Sequence, residues 1–151
     1  MIYRTVLAVL LATALLAVTL PPLDDARRER GATAVATDLE AVERAANDLV
    51  ATDNPTTDAG ARRVVTVRLP ASRWTSAGVD RITITPSTAD APARVSWQVH
   101  RGRTATRRLP GLRLETATGG PLRLRETGRH RLVLVLSGTP ESPVVTVRRL
   151  K

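Results

Sequence analysis

The chain has 151 residues, with 23 bases, 14 acids, no cysteine and a net charge of +9. That length holds one domain plus a short appendage, and the lack of thiols excludes disulfides, thiolate metal sites and cysteine nucleophiles. No phenylalanine is present and Tyr3, Trp74 and Trp97 are the only aromatic residues, so a core has to be built from Val, Leu, Ala and Ile.

Val6 to Leu20 is apolar apart from Thr13 and Thr19. At about 1.5 Å per residue the run reaches roughly 22 Å, against about 30 Å of bilayer hydrocarbon. Residues 1–23 therefore read as a membrane anchor in which Val6, Leu7, Leu10, Leu11, Leu15, Leu16 and Leu20 meet lipid. Ala17-Val18-Thr19 makes a poor signal-peptidase site, so the anchor is expected to stay uncleaved. The very short N-terminal tail is like that of an export signal, which implies one crossing of the cytoplasmic membrane with the body outside. Pro21 and Pro22 lack an N–H and crowd the preceding turn, so they are expected to break the helix, with Asp24 or Asp25 capping a second one.

Residues 24–52 read as an amphipathic helical stem. Val35, Leu39, Val42, Ala46 and Leu49 follow one another at spacings of four, three, four and three, which makes one narrow apolar seam. Such a seam fits packing on the chain's own domain or on the helices of partner subunits. Glu40 and Arg44 are placed as an i,i+4 pair on the polar side, and Gly31 weakens the first turns by about 1 kcal/mol. The helix should stop before Asp53-Asn54-Pro55, and residues 53–61 read as a linker.

Beyond "TDNPTTDAG" the apolar period becomes two. Over residues 62–151 the pattern predicts strands at 63–69, 81–85, 94–101, 104–109, 112–115, 122–126, 131–137 and 144–150, separated by Gly, Pro and Ser/Thr-rich turns. Seven or eight short strands at this spacing predict an all-β, sandwich-like domain, with 131–137 as a central strand because its residues are apolar on both faces.

Charge is unevenly distributed. Asp24 to Asp58 holds nine acids and four bases, whereas Ala59 to Lys151 holds eighteen bases and five acids. An acidic stem thus precedes a basic body, which points to an anionic partner or to a match between the two parts of the chain. The pattern "LRLE…PLRLRE" puts Leu112, Leu114, Leu122 and Leu124 on one face and Arg113, Arg123 and Arg125 on the other. If the two strands pair, those arginines form a sheet face for an anionic ligand or an acidic surface-layer partner; the plainer reading is a solvated face that deters edge aggregation. Nucleic acid is a poor fit, since no aromatic platform accompanies the arginines.

Trp97, between Val95 and Val99, and Trp74, in a loop, are both read as core residues. His130 reads as a partly exposed residue at a strand entry. There is no Gly-x-Ser-x-Gly, no metal-spaced histidine pair and no phosphate-binding glycine loop, and Gly119-Gly120 reads as a turn. The expectation is a non-enzymatic protein without cofactor, metal or small-molecule substrate.

The apolar run Val6–Leu20, the Pro21-Pro22 step, the seam from Val35 to Leu49 and the β-rich body after Ala61 together resemble the plan of type IV pilins and pseudopilins. No glycine precedes the apolar run and position 5 is Thr. The resemblance implies a pilin-like or accessory subunit of a pilus-like, secretion or cell-surface assembly, with membrane lipid and other protein subunits as partners, the latter meeting the stem seam. Arginine in place of nearly all lysine, with abundant Ala, Val, Thr and Asp, also resembles small uncharacterised membrane-anchored proteins of halophilic archaea.

Overall fold

The computed structural model describes residues 2–55 and 60–150, with the backbone alone at 19–22. Helix α1 (Ile2–Thr52) is followed by β1 (Arg62–Leu69), β2 (Val79–Thr85), β3 (Ala93–Val99), β4 (Thr104–Leu109), β5 (Leu114–Thr116), β6 (Leu122–Leu124), β7 (Gly128–Thr139) and β8 (Ser142–Arg149). A long N-terminal helix and an eight-stranded β domain are what the two apolar periods predict.

The strands form two four-stranded sheets, β1-β7-β8-β5 and β4-β3-β2-β6. Every pairing is antiparallel except the parallel one between β5 and β8. Alternation sends Val67 and Leu69, Ile82 and Ile84, Val95, Trp97 and Val99, Leu132, Leu134 and Leu136, and Val145 and Val147 into one core between the sheets. Strand β7 lies between β1 and β8, the central place expected of its apolar run. Val133, on the other face of β7, is also buried, flanked in register by Val64 and Arg148.

The expected break at Pro21 and Pro22 is absent, because α1 runs as one helix from Ile2 to Thr52. Two adjacent prolines remove two neighbouring donors, so the carbonyls of Ala17 and Val18 lose their i+4 partners within a single turn. Helix already formed on both sides carries the path across, since extending it needs no new nucleus. Asp24 and Asp25 consequently cap nothing and pair instead with Arg27 at 3.4 Å and Arg28 at 2.6 Å.

The second half of α1 is a third wall of the sandwich. Val35, Leu39, Val42, Ala46 and Leu49 are all buried, and they join the same cluster as the sheet residues. The seam is therefore covered by the chain's own domain, which corrects the expectation that partner subunits meet there. Each buried Val or Leu contributes roughly 1.5–3 kcal/mol, and packing within one chain gains that at any concentration. Residues 24–52 and the β domain accordingly share one core.

Helix and first strand run in opposite directions. The Arg68 N–H donates to Asp38 Oδ2 at 2.7 Å, Arg63 pairs with Asp48 at 3.4 Å and Asp53 at 3.8 Å, and the Ala77 N–H donates to the Arg27 carbonyl at 3.0 Å. Asp38 thus takes up a donor that edge strand β1 would otherwise present.

Gly31 sits where the β1–β2 connection touches α1, and a Cβ there would overlap the Ala77 carbonyl oxygen. The glycine that weakens the helix is what lets the connection dock. Gly31→Ala is expected to lower the stability of the domain by about 1–3 kcal/mol through overpacking, despite alanine's better helix propensity. Urea unfolding followed by circular dichroism reads this directly; an unchanged or higher midpoint would refute the close approach.

Candidate functional site

The candidate site is the boundary between the two halves of α1 and the charged surfaces around it. Val6, Leu7, Leu10, Leu11, Leu15 and Leu16 are each more than half exposed, and the described side chains from Ile2 to Val18 are all exposed. The Leu20 side chain, and those of Pro21 and Pro22, lie outside the described residues. Such a surface is unfavourable in water. The helix is long and apolar enough to cross a membrane, and none of that segment is buried against the domain.

The proposed arginine face is not assembled. Strand β5 pairs with β8 in one sheet while β6 pairs with β2 in the other. Arg113, just before β5, therefore stands on a different sheet from Arg123, in β6, and Arg125, just after it. The alternation itself holds, since Leu112, Leu114 and Leu124 are buried and all three arginines are exposed. The leucines of both strands face the same core from opposite sheets, and that is why the strands do not pair. Arg113 donates to Ser142 Oγ at 3.2 Å.

A different set of arginines shares a face. Arg68 lies opposite Arg129 in the β1–β7 register, Thr66 opposite Arg131, and Val133 opposite Arg148. These four exposed arginines stand on the outer side of the first sheet. The outward alternation of "RRVVTVRL" shows Arg62 and Arg68 in sequence, but only the register brings them beside Arg129 and Arg131.

The acidic stem and the basic body match in part. Arg107 of β4 meets Glu40 at 2.9 Å and Glu43 at 3.1 Å on α1. The Glu40 hydrogen bond, followed by the Glu43 charge, holds the Arg107 guanidinium above its ordinary value. The expected Glu40–Arg44 pair is replaced: Glu40 turns to Arg107, and Arg44 Nε donates to the Glu40 carbonyl at 3.4 Å. On the other side of the domain, Arg149 donates to Glu126 at 2.6 Å, and this hydrogen bond and the arginine charge hold the Glu126 carboxyl below the usual range.

Of Trp97, Trp74 and His130, only the first lies where its sequence pattern puts it. Trp97 is buried in the core as its alternation requires. Trp74 is 83% exposed, not core, because the turn Arg73–Ser76 closes on itself and leaves Trp74 and Thr75 at its tip. His130 is 3% exposed rather than partly exposed: β7 begins at Gly128, so His130 belongs to the inward series continued by Leu132 and Leu134. Its Nε2 lies 2.6 Å from the Glu126 carbonyl oxygen, which assigns the proton to Nε2, while Nδ1 is buried without a partner among the described residues. No group of His, Asp and Glu among the described residues is gathered closely enough to hold a metal ion.

These features define a class: a two-sheet β domain walled by the second half of one long helix whose first half is apolar and uncovered. The chain belongs to the family described as a domain of unknown function (DUF7311), whose model matches residues 2–150. No curated protein and no solved structure matches it.

Because the folded-state carboxyl of Glu126 titrates low, its pairing contributes above the ordinary glutamate range and is lost as pH falls through the lowered value. Arg149→Ala is expected to return the Glu126 titration upward toward an ordinary glutamate, as read by carboxyl NMR. An unmoved midpoint would show that Arg149 is not its cause.

Proposed function

We propose that the chain is a non-enzymatic protein anchored once in the cytoplasmic membrane, carrying its β domain outside as a pilin-like or accessory subunit of a pilus-like, secretion or cell-surface assembly. The observation that carries this reading is the division of α1 into an apolar half exposed all round and a half covered along one seam. An uncovered apolar half is available to lipid and to like helices, whereas the seam from Val35 to Leu49 is occupied by the chain's own sandwich. Partner subunits would therefore meet through the apolar half. The sparse acids of the β body, five in ninety-three residues with no paired spacing, favour a binding or structural role over catalysis.

Carbonate extraction of membranes tests the anchor. The full chain is expected in the pellet, and Leu11→Arg with Leu15→Arg is expected to move it to the supernatant, each arginine costing about 2.5–3.5 kcal/mol near mid-membrane. Recovery of the unaltered chain in the soluble fraction would overturn the anchor. The intact mass of the pelleted chain then separates the two roles: a start at Thr5 means leader removal and a filament subunit, whereas retention of residues 1–4 means a permanent anchor and an accessory subunit.

A further inference from the structure

The β1–β2 connection ends in a tryptophan that is held in place and left bare. Arg73 N–H donates to the Ser76 carbonyl at 2.9 Å and Ser76 N–H to the Arg73 carbonyl at 3.3 Å, so Trp74 and Thr75 form a closed two-residue tip. The tip is fixed to α1 by the Ala77 N–H on the Arg27 carbonyl, by Arg30 Nη1 on the Thr75 carbonyl at 3.4 Å, and by the Arg27 guanidinium over the indole, 4.8 Å from its centroid. Yet Trp74 remains 83% exposed. Together with Val18, Leu23, Ala26, Arg27 and Arg30 it lines an open cleft of about 630 Å³.

The position of this tip along α1 says what covers it. The last exposed apolar residue of the first half is Leu23, and Arg27 is four residues, about 6 Å, further on. Subtracting a hydrocarbon layer of about 30 Å from a bilayer of 40–45 Å leaves a headgroup layer of roughly 5–8 Å on each side. An indole beside Arg27 thus stands within that layer, where tryptophan is favoured because its ring is apolar and its N–H is wet.

Neighbouring loops at the same end of the sandwich are rich in arginine. The β3–β4 turn, tied to the β1–β2 connection by the His100 N–H on the Gly78 carbonyl at 2.8 Å, carries Arg101 and Arg103. Arg73 and Arg129 line one cleft of about 500 Å³. Four of the acids nearby are engaged, Asp80 with His100, Glu126 with Arg149, and Asp24 and Asp25 with Arg27 and Arg28, while Glu29 stands exposed beside Arg30. Guanidinium groups so placed suit phosphate oxygens.

We propose that Trp74 and the arginines of this end form a foot that seats the β domain on the phospholipid headgroup layer of the membrane holding α1. The proposal rests on the anchor reading, and the test separates the two. The full chain is reconstituted into phosphatidylcholine–phosphatidylglycerol vesicles with a spin label placed either near the headgroups or at the chain ends, and flotation is measured before fluorescence. Trp97 is buried inside the sandwich, so the exposed-site variant Trp74→Phe supplies the baseline without disturbing the core.

The expected result is a chain that floats with the vesicles and whose emission is quenched at least about twofold more by the shallow label than by the deep one, as befits headgroup depth. That excess should vanish in Trp74→Phe. A chain that floats but is quenched no more than Trp74→Phe overturns the foot and leaves the anchor standing, as does quenching dominated by the deep label. A chain that does not float overturns both.

Discussion

Everything else in the molecule depends on the burial of one stripe of α1 in the chain's own sandwich. The stripe fixes where the domain stands along the helix as well as holding it there. From Asp38 to Asp48 the helix advances about 15 Å, and from Arg68 back to Arg63 the strand advances about 17 Å. Helix and strand therefore keep step, and the contacts at both ends, Asp38 with the Arg68 N–H and Asp48 with Arg63, can be made at once. The Ala77–Arg27 hydrogen bond continues the same alignment toward the apolar half.

Charge follows this alignment instead of creating it. Exposed ion pairs contribute little each, about 0–1 kcal/mol, so the pairs of Arg63 and Arg107 with the stem carboxylates do not hold the domain on the helix. Their effect is directional: an acidic stem lies between the edges of a basic body, and a domain shifted along the helix would set arginines against other arginines. What this match leaves unpaired is spread over the outer faces of both sheets, Arg68, Arg129, Arg131 and Arg148 on the first and Arg81, Arg94, Arg108 and Arg123 on the second, and over the loops nearest the apolar half of α1.

Local patterning revealed a good deal in the sequence. The seam from Val35 to Leu49 and the period-two alternation of the body are properties of neighbouring residues, and both survive intact in the fold. Whatever required a partner at long range was not legible. Alternation says that Leu112 and Leu122 point inward, but not that their strands belong to opposite sheets, so the face drawn from Arg113, Arg123 and Arg125 dissolved. The same limit hid Arg68 beside Arg129, and it hid the turn that exposes Trp74. His130 failed for a smaller reason: strand β7 starts early enough to include it in the buried series. Pro21 and Pro22 carry the local signal of a helix break, but the helix on either side of them runs on as one.

Continuity through those prolines changes the mechanics of the chain. A break at residue 21 would have made the anchor and the domain two bodies joined by a swivel, each free to find its own orientation. If the apolar half is anchored as proposed, one helix through both makes the tilt of that half the tilt of the domain. Transmembrane helices tilt by about 20° on average, and packing or interfacial residues set the angle. The sandwich is attached along one side of α1, not at its end, so its lower loops lie off the helix axis, and under the proposed anchoring they would come toward the membrane as the helix leans to that side. Gly31 allows the Trp74 connection to reach the helix at the level of Arg27, and under the proposed anchoring it would set which loop arrives first. On that reading a single small residue in the stem couples the packing of the domain to its attitude at the membrane.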